Sequence, residues 1–362
     1  MALLSGCESK APAGETADKT AAAEKAATAE QAAPAAPAAT GPIIDRAMLA
    51  AFAPLPEVMA DASNPITPEK VELGRMLYYE SRISKNHDVS CNTCHALDNF
   101  GVDNQKTSPG HKKQLGGRNS PTVYNAAGHI AQFWDGRAAT IEEQAKGPVL
   151  NPVEMAMPGE AQVLEVLGSM PEYVEKFKAA FPEDADPISY ENFARAVGAF
   201  ERKLVTPGKW DAYLGGDDAA LTDDEKKGLK TFIEAGCTAC HTGPYLGGHM
   251  YQKAGLVKPW PNQADQGRFE VTKAEGDKMM FKVPGLRNIA RTSPYFHDGS
   301  VDDLGQAVRM MAEHQLGRAL TDEQVASIVT FLNALTGEIP KDYIQKPVLP
   351  ASTDATPKPD PN

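Results

Sequence analysis

The feature that most constrains this chain is a pair of pentapeptides, CNTCH at 91–95 and CTACH at 237–241. Both match C-x-x-C-H, the pattern of covalent c-type haem attachment. Two thiols three positions apart can each form a thioether with a haem vinyl group, and the adjacent imidazole can ligate the iron. The second axial ligand then largely decides whether that iron transfers electrons or binds a substrate. The residues predicted to hold two haems are Cys91, Cys94, His95, Cys237, Cys240 and His241.

A bare C-x-x-C also supports two alternatives, a structural zinc site and a redox disulfide. A zinc site built on paired thiols needs further Cys or His ligands at short spacing, and the two pairs lie far apart in the chain. Four of the five cysteines belong to the two motifs, and the fifth, Cys7, is in the N-terminal tail. No disulfide framework is left, so the histidine of each motif favours haem.

The two ends of the chain differ in composition from its middle. Residues 1–7 end in Leu-Ser-Gly-Cys7, which resembles a bacterial lipoprotein cleavage box, although the leader is shorter than a signal peptide and a chance match is the alternative. Residues 8–41 are rich in alanine and proline and predict a disordered tether. Residues 339–362 form a C-terminal extension whose end, from Pro347 with five prolines, is also predicted to be disordered. A lipid-anchored start and covalent haem together indicate a membrane-tethered periplasmic protein.

The formal net charge is −12. Nucleic-acid binding is disfavoured, because phosphates require a basic surface. An acidic surface would steer a positively charged redox partner to the protein. Better solubility is the alternative explanation, and charge alone does not separate the two.

The segments around the two haem motifs repeat in order. Thr67-Pro68-Glu69 and the capping box Thr222-x-x-Glu225 predict a helix before each motif. Gly74 precedes Tyr78 by four positions, as Gly228 precedes Phe232. Closing helices are predicted from the periodic sets Phe193, Val197, Phe200, Leu204 and Val325, Ile328, Leu332, Leu335. The prediction is a mostly α, loop-rich fold of two duplicated cytochrome c-like haem domains, 42–207 and 208–338.

Two long blocks carry a family resemblance. The runs GHKKQLGGRNSPTVYNAAGHIAQFWDGRAATIEEQAKGPVLNPVEM (110–155) and YFHDGSVDDLGQAVRMMAEHQLG (295–317) resemble the bacterial diheme cytochrome c peroxidases, and the similarity covers about residues 65–345. The resemblance implies an enzyme that reduces hydrogen peroxide to water with electrons from a small cytochrome c or copper protein. It implies that the N-terminal haem is peroxidatic, that the C-terminal haem receives electrons, and that the protein is a homodimer.

The resemblance also assigns residues at the peroxidatic haem. His111 matches the removable distal ligand of the iron, in a loop that Gly110, Gly116 and Gly117 make adaptable. Glu154 matches the residue that relays a proton during peroxide cleavage, Gln144 matches a neighbouring polar residue, and Trp134 matches a tryptophan between the haems. Without these blocks, His111 and Glu154 would be interpreted as solvated loop residues and Trp134 as a buried aromatic.

At the C-terminal haem the second ligand is predicted to be Met311. A thioether opposite histidine raises the reduction potential, as an electron-accepting site requires. After a predicted N-cap at Ser300, Leu304, Val308 and Met311 share one helical face, whereas Met310 points about 100° away. Core packing is the usual role of such a methionine, and the family match favours the ligand. The rival candidates are Met250, Met279 and Met280.

Further residues are assigned by resemblance alone. Asn119, Thr292 and Pro294 match residues that supply oxygen ligands to an interdomain calcium ion. His297 matches a position close to the haem and the domain interface, without a firm chemical role. His87 and His129 are interpreted as structural.

Two other functions compete with the peroxidase. A diheme oxidase that matures a tryptophan-derived quinone in another protein would carry a tyrosine at the second haem's distal position, which Met311 argues against. A non-enzymatic electron carrier would keep both irons six-coordinate, and Glu154 argues against it.

Overall fold

The structure is a computed structural model that describes residues 42–362, so the predictions for 1–7 and 8–41, including lipidation of Cys7, lie outside the described residues. Within that range the fold is mostly α, as predicted, with two short strands. The helices are α1 (Pro68–Tyr78), α2 (Cys91–Cys94), α3 (Ile141–Leu150), α4 (Glu160–Gly168), α5 (Pro171–Ala180), α6 (Tyr190–Glu201), α7 (Lys209–Leu214), α8 (Asp223–Ala235), α9 (Phe269–Thr272), α10 (Leu304–Leu316) and α11 (Asp322–Ala334). Strands β1 (Tyr251–Lys253) and β2 (Met280–Lys282) pair antiparallel, with Gln252 opposite Phe281. None of the described helices has the length and apolarity needed to cross a membrane.

Helix α1 leads into the first haem motif and crosses α6. Its predicted start is confirmed, since the Thr67 side chain accepts a hydrogen bond from the Lys70 amide. The helices approach closely at Gly74, where a Cβ atom would lie 1.9 Å from the carbonyl oxygen of Ala196. One turn further on, Tyr78 meets Phe200 edge to face at 5.4 Å between ring centroids.

Helices α8 and α11 repeat that arrangement before the second haem motif. Thr222 and Glu225 form the predicted capping box at the start of α8. A Cβ atom on Gly228 would lie 2.1 Å from the carbonyl oxygen of Ser327, and Phe232 packs on Phe331 at 5.4 Å. In both pairs, glycine lets the backbones meet and an aromatic residue four positions later fills the space beside the crossing.

Each end of the described chain packs on the half of the protein that lies further from it in sequence. Ile44, Leu49 and Phe52 belong to the hydrophobic core of α8 and α11, where Phe52 meets Trp210 at 5.4 Å. In the opposite direction, Tyr343 stacks on Phe200 at 5.1 Å and donates a hydrogen bond to its carbonyl. Each of these end segments thus packs on the half of the chain that lies further from it in sequence, and residues 42–362 form one compact unit.

The proline-rich C-terminal end differs from the disorder predicted for it. Thr353 donates from Oγ1 to the Ser169 carbonyl at 2.9 Å, Asp360 donates its amide to the Lys85 carbonyl at 2.8 Å, and Thr356 is buried. Proline lowers the number of backbone donors that need partners. Some of the remaining amides find partners within the segment, such as the Thr356 amide with the Thr353 carbonyl, and the Asp360 amide donates to the first half.

The start of α10 also differs from the prediction. Its N-cap is Asp303, whose carboxylate accepts from the Gln306 amide at 2.7 Å, and not Ser300. The chain cannot be helical at Ser300, because the adjacent Val301 bridges to Tyr295 through a 2.7 Å backbone hydrogen bond.

Candidate haem sites

The second haem motif begins directly after α8, where Gly236 ends the helix in the left-handed region at φ 94°. His241 Nδ1 lies 3.0 Å from the Leu246 carbonyl oxygen, so Nε2 is the ring atom left for a metal. Burial lowers the pKa of His241 to about 4, which keeps the ring neutral at pH 7. A neutral imidazole held through its other nitrogen is the usual state of a metal-ligating histidine.

A mostly apolar cavity, named here the C-terminal haem cavity, contains Cys237, Cys240 and His241 in its wall. Leu304, Val308 and Met311 of α10 line the same cavity, as their common helical face predicts. Met310 instead packs with Tyr295 and Val301. The rivals Met250, Met279 and Met280 do not line the cavity. The structure thus brings one methionine, Met311, into the same cavity as His241.

The first haem motif forms α2, which Ser90 and Thr93 cap reciprocally. The Tyr78 hydroxyl donates to the His95 carbonyl at 2.7 Å and so ties the motif to α1. Burial lowers the pKa of His95, and its Nδ1 atom has no partner among the described residues. A buried ring nitrogen without a partner fits a residue that needs a further group in its site.

His111 and Glu154 lie on two loops whose backbones are in direct contact. The His111 amide donates to the Glu154 carbonyl at 2.7 Å. His111 is buried and its Nδ1 atom has no partner in the described part of the chain, so it is not a solvated loop residue. A Cβ atom on Gly110 would lie 2.2 Å from the Val153 carbonyl oxygen. The glycine therefore allows the two loops to pack closely, which differs from the loop flexibility that the sequence suggested.

The Glu154 carboxyl is half-buried and faces the first haem motif. Burial raises its pKa, while Arg137 and a 2.6 Å hydrogen bond from Asn151 oppose that shift. Burial also raises the pKa of Cys94 to about 11, with smaller contributions from Asp103 and Glu154. A raised pKa makes a carboxyl a better proton acceptor than an exposed one, as a proton relay requires. Gln144 lies on α3, which ends at Leu150 before that loop, and no hydrogen bond joins it to Glu154 among the described residues.

Trp134 and His297 line the C-terminal haem cavity from opposite halves of the sequence. The Trp134 indole donates to the Asn119 carbonyl at 2.9 Å, and its ring meets His297 edge to face at 6.4 Å. His297 is buried and stacks on Phe281 at 4.2 Å. Trp134 therefore lies where the two halves meet.

The three residues matched to calcium ligands also border this cavity. The Asn119 side-chain amide donates to the Gln105 carbonyl at 3.0 Å, which leaves its Oδ1 atom available. Thr292 and Pro294 follow on the segment that leads to His297.

Sequence reasoning missed two residues of the cavity wall, Lys282 and His129. Lys282 lies on β2 with its amine 3.0 Å from His129 Nδ1, and both side chains are buried deeply enough that burial lowers the pKa of each. The available signal was a lysine set between Phe281 and Val283 in an apolar run. His129, interpreted as structural, carried no local signal at all.

The donor sets fit haem better than the alternatives. All four motif cysteines are free thiols. Within residues 42–362, no group of three or more His, Cys, Asp or Glu side chains is arranged to hold a metal ion, as a structural zinc site requires. Two half-buried histidines, each with a ring pKa lowered by burial and each next to a pair of cysteines, match covalent haem sites instead.

Comparison with known proteins gives the same result. A sequence profile described as di-haem cytochrome c peroxidase matches residues 68–219. The chain is 48% identical over 317 residues to cytochrome c551 peroxidase of Pseudomonas aeruginosa, with 86% of this chain and 90% of that protein covered. It is 45% identical over 319 residues to the protein of the same name from Nitrosomonas europaea, with 87% and 92% covered. A solved structure of a MauG-like protein associated with microbial copper homeostasis superposes with a TM-score of 0.71 at 28% identity, covering 81% of this chain and 97% of that one.

Sequence and site together define a c-type haem protein with two attachment motifs. The chain belongs to the di-haem cytochrome c peroxidase family, whose name implies two haem cofactors.

Proposed function

We propose that this chain is a cytochrome c peroxidase that reduces hydrogen peroxide to water with electrons from a small cytochrome c or copper protein. The observation that carries the proposal is the asymmetry of the two motifs. A half-buried carboxyl and an unpartnered histidine accompany the first motif, whereas a thioether accompanies the second. The first arrangement suits a site that binds and protonates a substrate, and the second suits electron transfer.

The first site is proposed to be peroxidatic, with His95 as the fixed iron ligand and His111 as the removable one. The haem iron, when bound, supplies the redox chemistry by which peroxide is reduced. Glu154 moves a proton between the peroxide oxygens, with Gln144 as a polar neighbour. Lys112 and Lys113 adopt φ angles of 55° and 58°, which cost energy for residues other than glycine. That strain beside His111 supports a loop with a second conformation.

The second site is proposed to receive electrons, with His241 and Met311 as its iron ligands. Trp134 is proposed to lie between the two haems, and its hydrogen bond to Asn119 supports a fixed position of the indole. The overall reaction consumes two electrons and two protons for each peroxide and yields two waters. The repeated crossing of α1 with α6 and of α8 with α11 supports two duplicated cytochrome c-like haem domains.

The remaining assignments are proposals of the same kind. Asn119, Thr292 and Pro294 are proposed to supply oxygen ligands to a calcium ion at the junction of the halves. The protein is proposed to be a homodimer in the periplasm, tethered through a lipid on Cys7. Covalent haem attachment and the Leu-Ser-Gly-Cys7 segment support that location.

The two competing functions have less support. The two relatives named cytochrome c551 peroxidase are 48% and 45% identical to this chain, whereas the MauG-like protein is 28% identical. Met311 in the cavity further argues against a quinone-maturing oxidase. An electron carrier has no use for the raised pKa of Glu154 beside the first motif.

The test is a comparison of the fully oxidised and half-reduced protein by optical and EPR spectroscopy, followed by a peroxide assay with a reduced cytochrome donor. We expect an exogenous ligand to reach the N-terminal iron in at least one state, and peroxide turnover in that state. Two permanently six-coordinate irons and no turnover would identify an electron carrier. Equal activity in both states would remove the gating role of His111 and leave the peroxidase.

A further inference from the structure

The wall of the C-terminal haem cavity holds a buried lysine that has no anionic partner. Lys282 is 8% exposed, and its amine makes one hydrogen bond within residues 42–362, to His129 Nδ1 at 3.0 Å. An ammonium has three N–H donors, so two remain without partners. A buried cation is costly unless an anion or several acceptors accompany it.

The other cationic side chain in this wall is already neutralised. Arg287 lines the same cavity and donates to both carboxylate oxygens of Asp211, at 2.7 and 2.9 Å. Lys282 has no such carboxylate within 4 Å in the described part of the chain. The cavity therefore has one unmatched positive charge, and an anion bound in the cavity would match it.

His129 holds that lysine in place and does not compete with an anion. Its ring meets Tyr245 edge to face at 5.4 Å, and burial keeps the pKa of His129 well below neutrality, with a smaller contribution from Lys282. The neutral ring accepts one ammonium proton at Nδ1. On the backbone, the Lys282 amide donates to the Trp134 carbonyl at 2.8 Å, which fixes β2 against the first half.

We propose that Lys282 binds a carboxylate of the haem attached at Cys237 and Cys240. A c-type haem carries two propionate side chains, and they remain free when the vinyl groups bond to cysteines. The cavity that contains both cysteines is the cavity that Lys282 lines. Paired with the ammonium, the propionate no longer places an unbalanced negative charge near the iron. This inference rests on the proposed haem site and not on peroxidase activity.

Burial alone lowers the pKa of Lys282 to about 8, so the ammonium retains its proton at neutral pH even before an anion is counted. A bound carboxylate stabilises the charged form further. Because reduction of the iron adds a negative charge, the lysine favours the reduced state by offsetting the propionate. Loss of the lysine is therefore expected to lower the reduction potential of the C-terminal haem.

The test compares the parent holoprotein with Lys282→Met, Lys282→Arg and the matched control Lys278→Met, which removes a partly exposed lysine paired with Glu275 three positions earlier. The reduction potential of each haem is measured by spectroelectrochemistry, and the propionate bending mode by resonance Raman spectroscopy. We expect Lys282→Met to shift the equilibrium between the C-terminal haem and a reference dye about tenfold toward oxidised haem. Its propionate mode should shift, while Lys282→Arg and Lys278→Met should resemble the parent.

An unchanged potential and propionate mode in Lys282→Met would overturn the proposal. A shift confined to the N-terminal haem would also overturn it, because the carboxylate would then belong to the other haem. If Lys282→Met does not retain both haems, Lys282→Gln replaces it, and equal potentials in Lys282→Gln and Lys282→Arg would count against the ion pair. Absence of peroxide turnover in the parent would contradict the proposed function and leave these potentials interpretable.

Discussion

Glu154 and Glu201 both have a pKa raised by burial, but their surroundings differ. Glu154 accepts a hydrogen bond from Asn151, feels the charge of Arg137, and lies on a loop beside the first haem motif. Glu201 is near the end of α6, is 3% exposed, and has an Oε2 atom without a partner among the described residues. The surroundings of the first carboxyl suit the proton exchange proposed for it, whereas the second carboxyl is almost completely buried.

We expect Glu154→Gln to retain both haem spectra and to lose peroxide turnover by about 10²-fold or more, the usual scale for a general acid–base group. The amide preserves the size of the side chain but cannot carry the proton. The control is Glu160→Gln, which changes an exposed carboxyl at the start of α4. Steady-state turnover with a reduced cytochrome donor measures the effect, and near-normal turnover would remove Glu154 from the mechanism.

Glu201 gives a prediction for the pH dependence of stability. Burial, and then the charge of Glu142, raise the pKa of Glu201 to about 8 in the folded protein. The folded state therefore binds an extra proton that the unfolded state has released, so stability is lost as the pH rises between the two values. Glu201→Gln should reduce this loss, and the difference in unfolding free energy between about pH 5 and about pH 9 should shrink by ~4 kcal/mol.

Urea unfolding at both pH values measures this effect. Glu165→Gln, at an exposed position of α4, is the control and should follow the parent. An identical pH dependence in Glu201→Gln and the parent would mean that Glu201 is ionised in the folded protein.

Met311 and Met310 provide a matched pair at the second site. Met311→His should lower the potential of the C-terminal haem and slow electron entry, because imidazole stabilises the oxidised iron better than a thioether does. Both haems should stay attached, since the thioethers to cysteine are untouched. Met310→His should leave the potential close to that of the parent. A redox titration measures both potentials, and unchanged potentials in Met311→His would show that Met311 is not the iron ligand.

At the scale of elements, each haem motif is positioned by a helix that crosses its closing helix at a glycine. Gly74 and Gly228 have no room for a side chain, because backbone carbonyl oxygens of α6 and α11 occupy that space. The Tyr78 hydroxyl then holds the first motif through the His95 carbonyl. The packing of α1 on α6 thereby helps to set the position of His95, the proposed iron ligand.

Gly74→Ala should destabilise the protein by about 1–3 kcal/mol, because the added methyl group forces α1 and α6 apart. Gly168→Ala is the control, since no atom lies within 4 Å of its Cβ position at the end of α4. That variant should be neutral or slightly stabilised, as alanine favours helix. Equal unfolding free energies for the two variants would contradict the close approach.

Local patterns predicted the elements well where the cause was local. The caps at Thr67 and Thr222 are confirmed because side chain and amide lie three residues apart on the same chain segment. Ser300 failed as a cap because a bridge between Tyr295 and Val301 holds the chain extended there. No local pattern reports such a partner.

The residues of the candidate site were likewise predictable from the sequence where the signal was a local pattern or a family resemblance. The spacing of residues predicted the C-x-x-C-H motifs and the helical face that carries Met311. The family resemblance of block 110–155 pointed to His111 and Glu154. The pairing of Lys282 with His129 joins positions far apart in the sequence, so only the fold brings them together.

On the scale of the whole molecule, each terminal segment of the described chain packs on the opposite half and so joins the two halves. Residues from Ile44 to Phe52 pack on the core of α8 and α11, while Tyr343 and the C-terminal end pack on α6 and its surroundings. Between them, Arg118 of the first half pairs with Asp265 of the second at 2.6 Å and with Asp135. Neither half is therefore complete without residues from outside its predicted boundaries.

A substitution at Phe52 tests whether the N-terminal segment supports the second half. It is buried against Trp210, and the neighbouring Ala51 carbonyl accepts from the Gly243 amide at 2.8 Å, two residues after His241. Phe52→Ala should cost about 3–5 kcal/mol of unfolding free energy, the usual scale for a truncated core phenylalanine. Because the segment borders the second motif, the optical spectrum and potential of the C-terminal haem should change while those of the N-terminal haem do not. Val348→Ala, at a side chain that is 93% exposed, is the control and should change neither. A change confined to the N-terminal haem would show that residues 42–52 support the first half, as the predicted boundary at 42 implies.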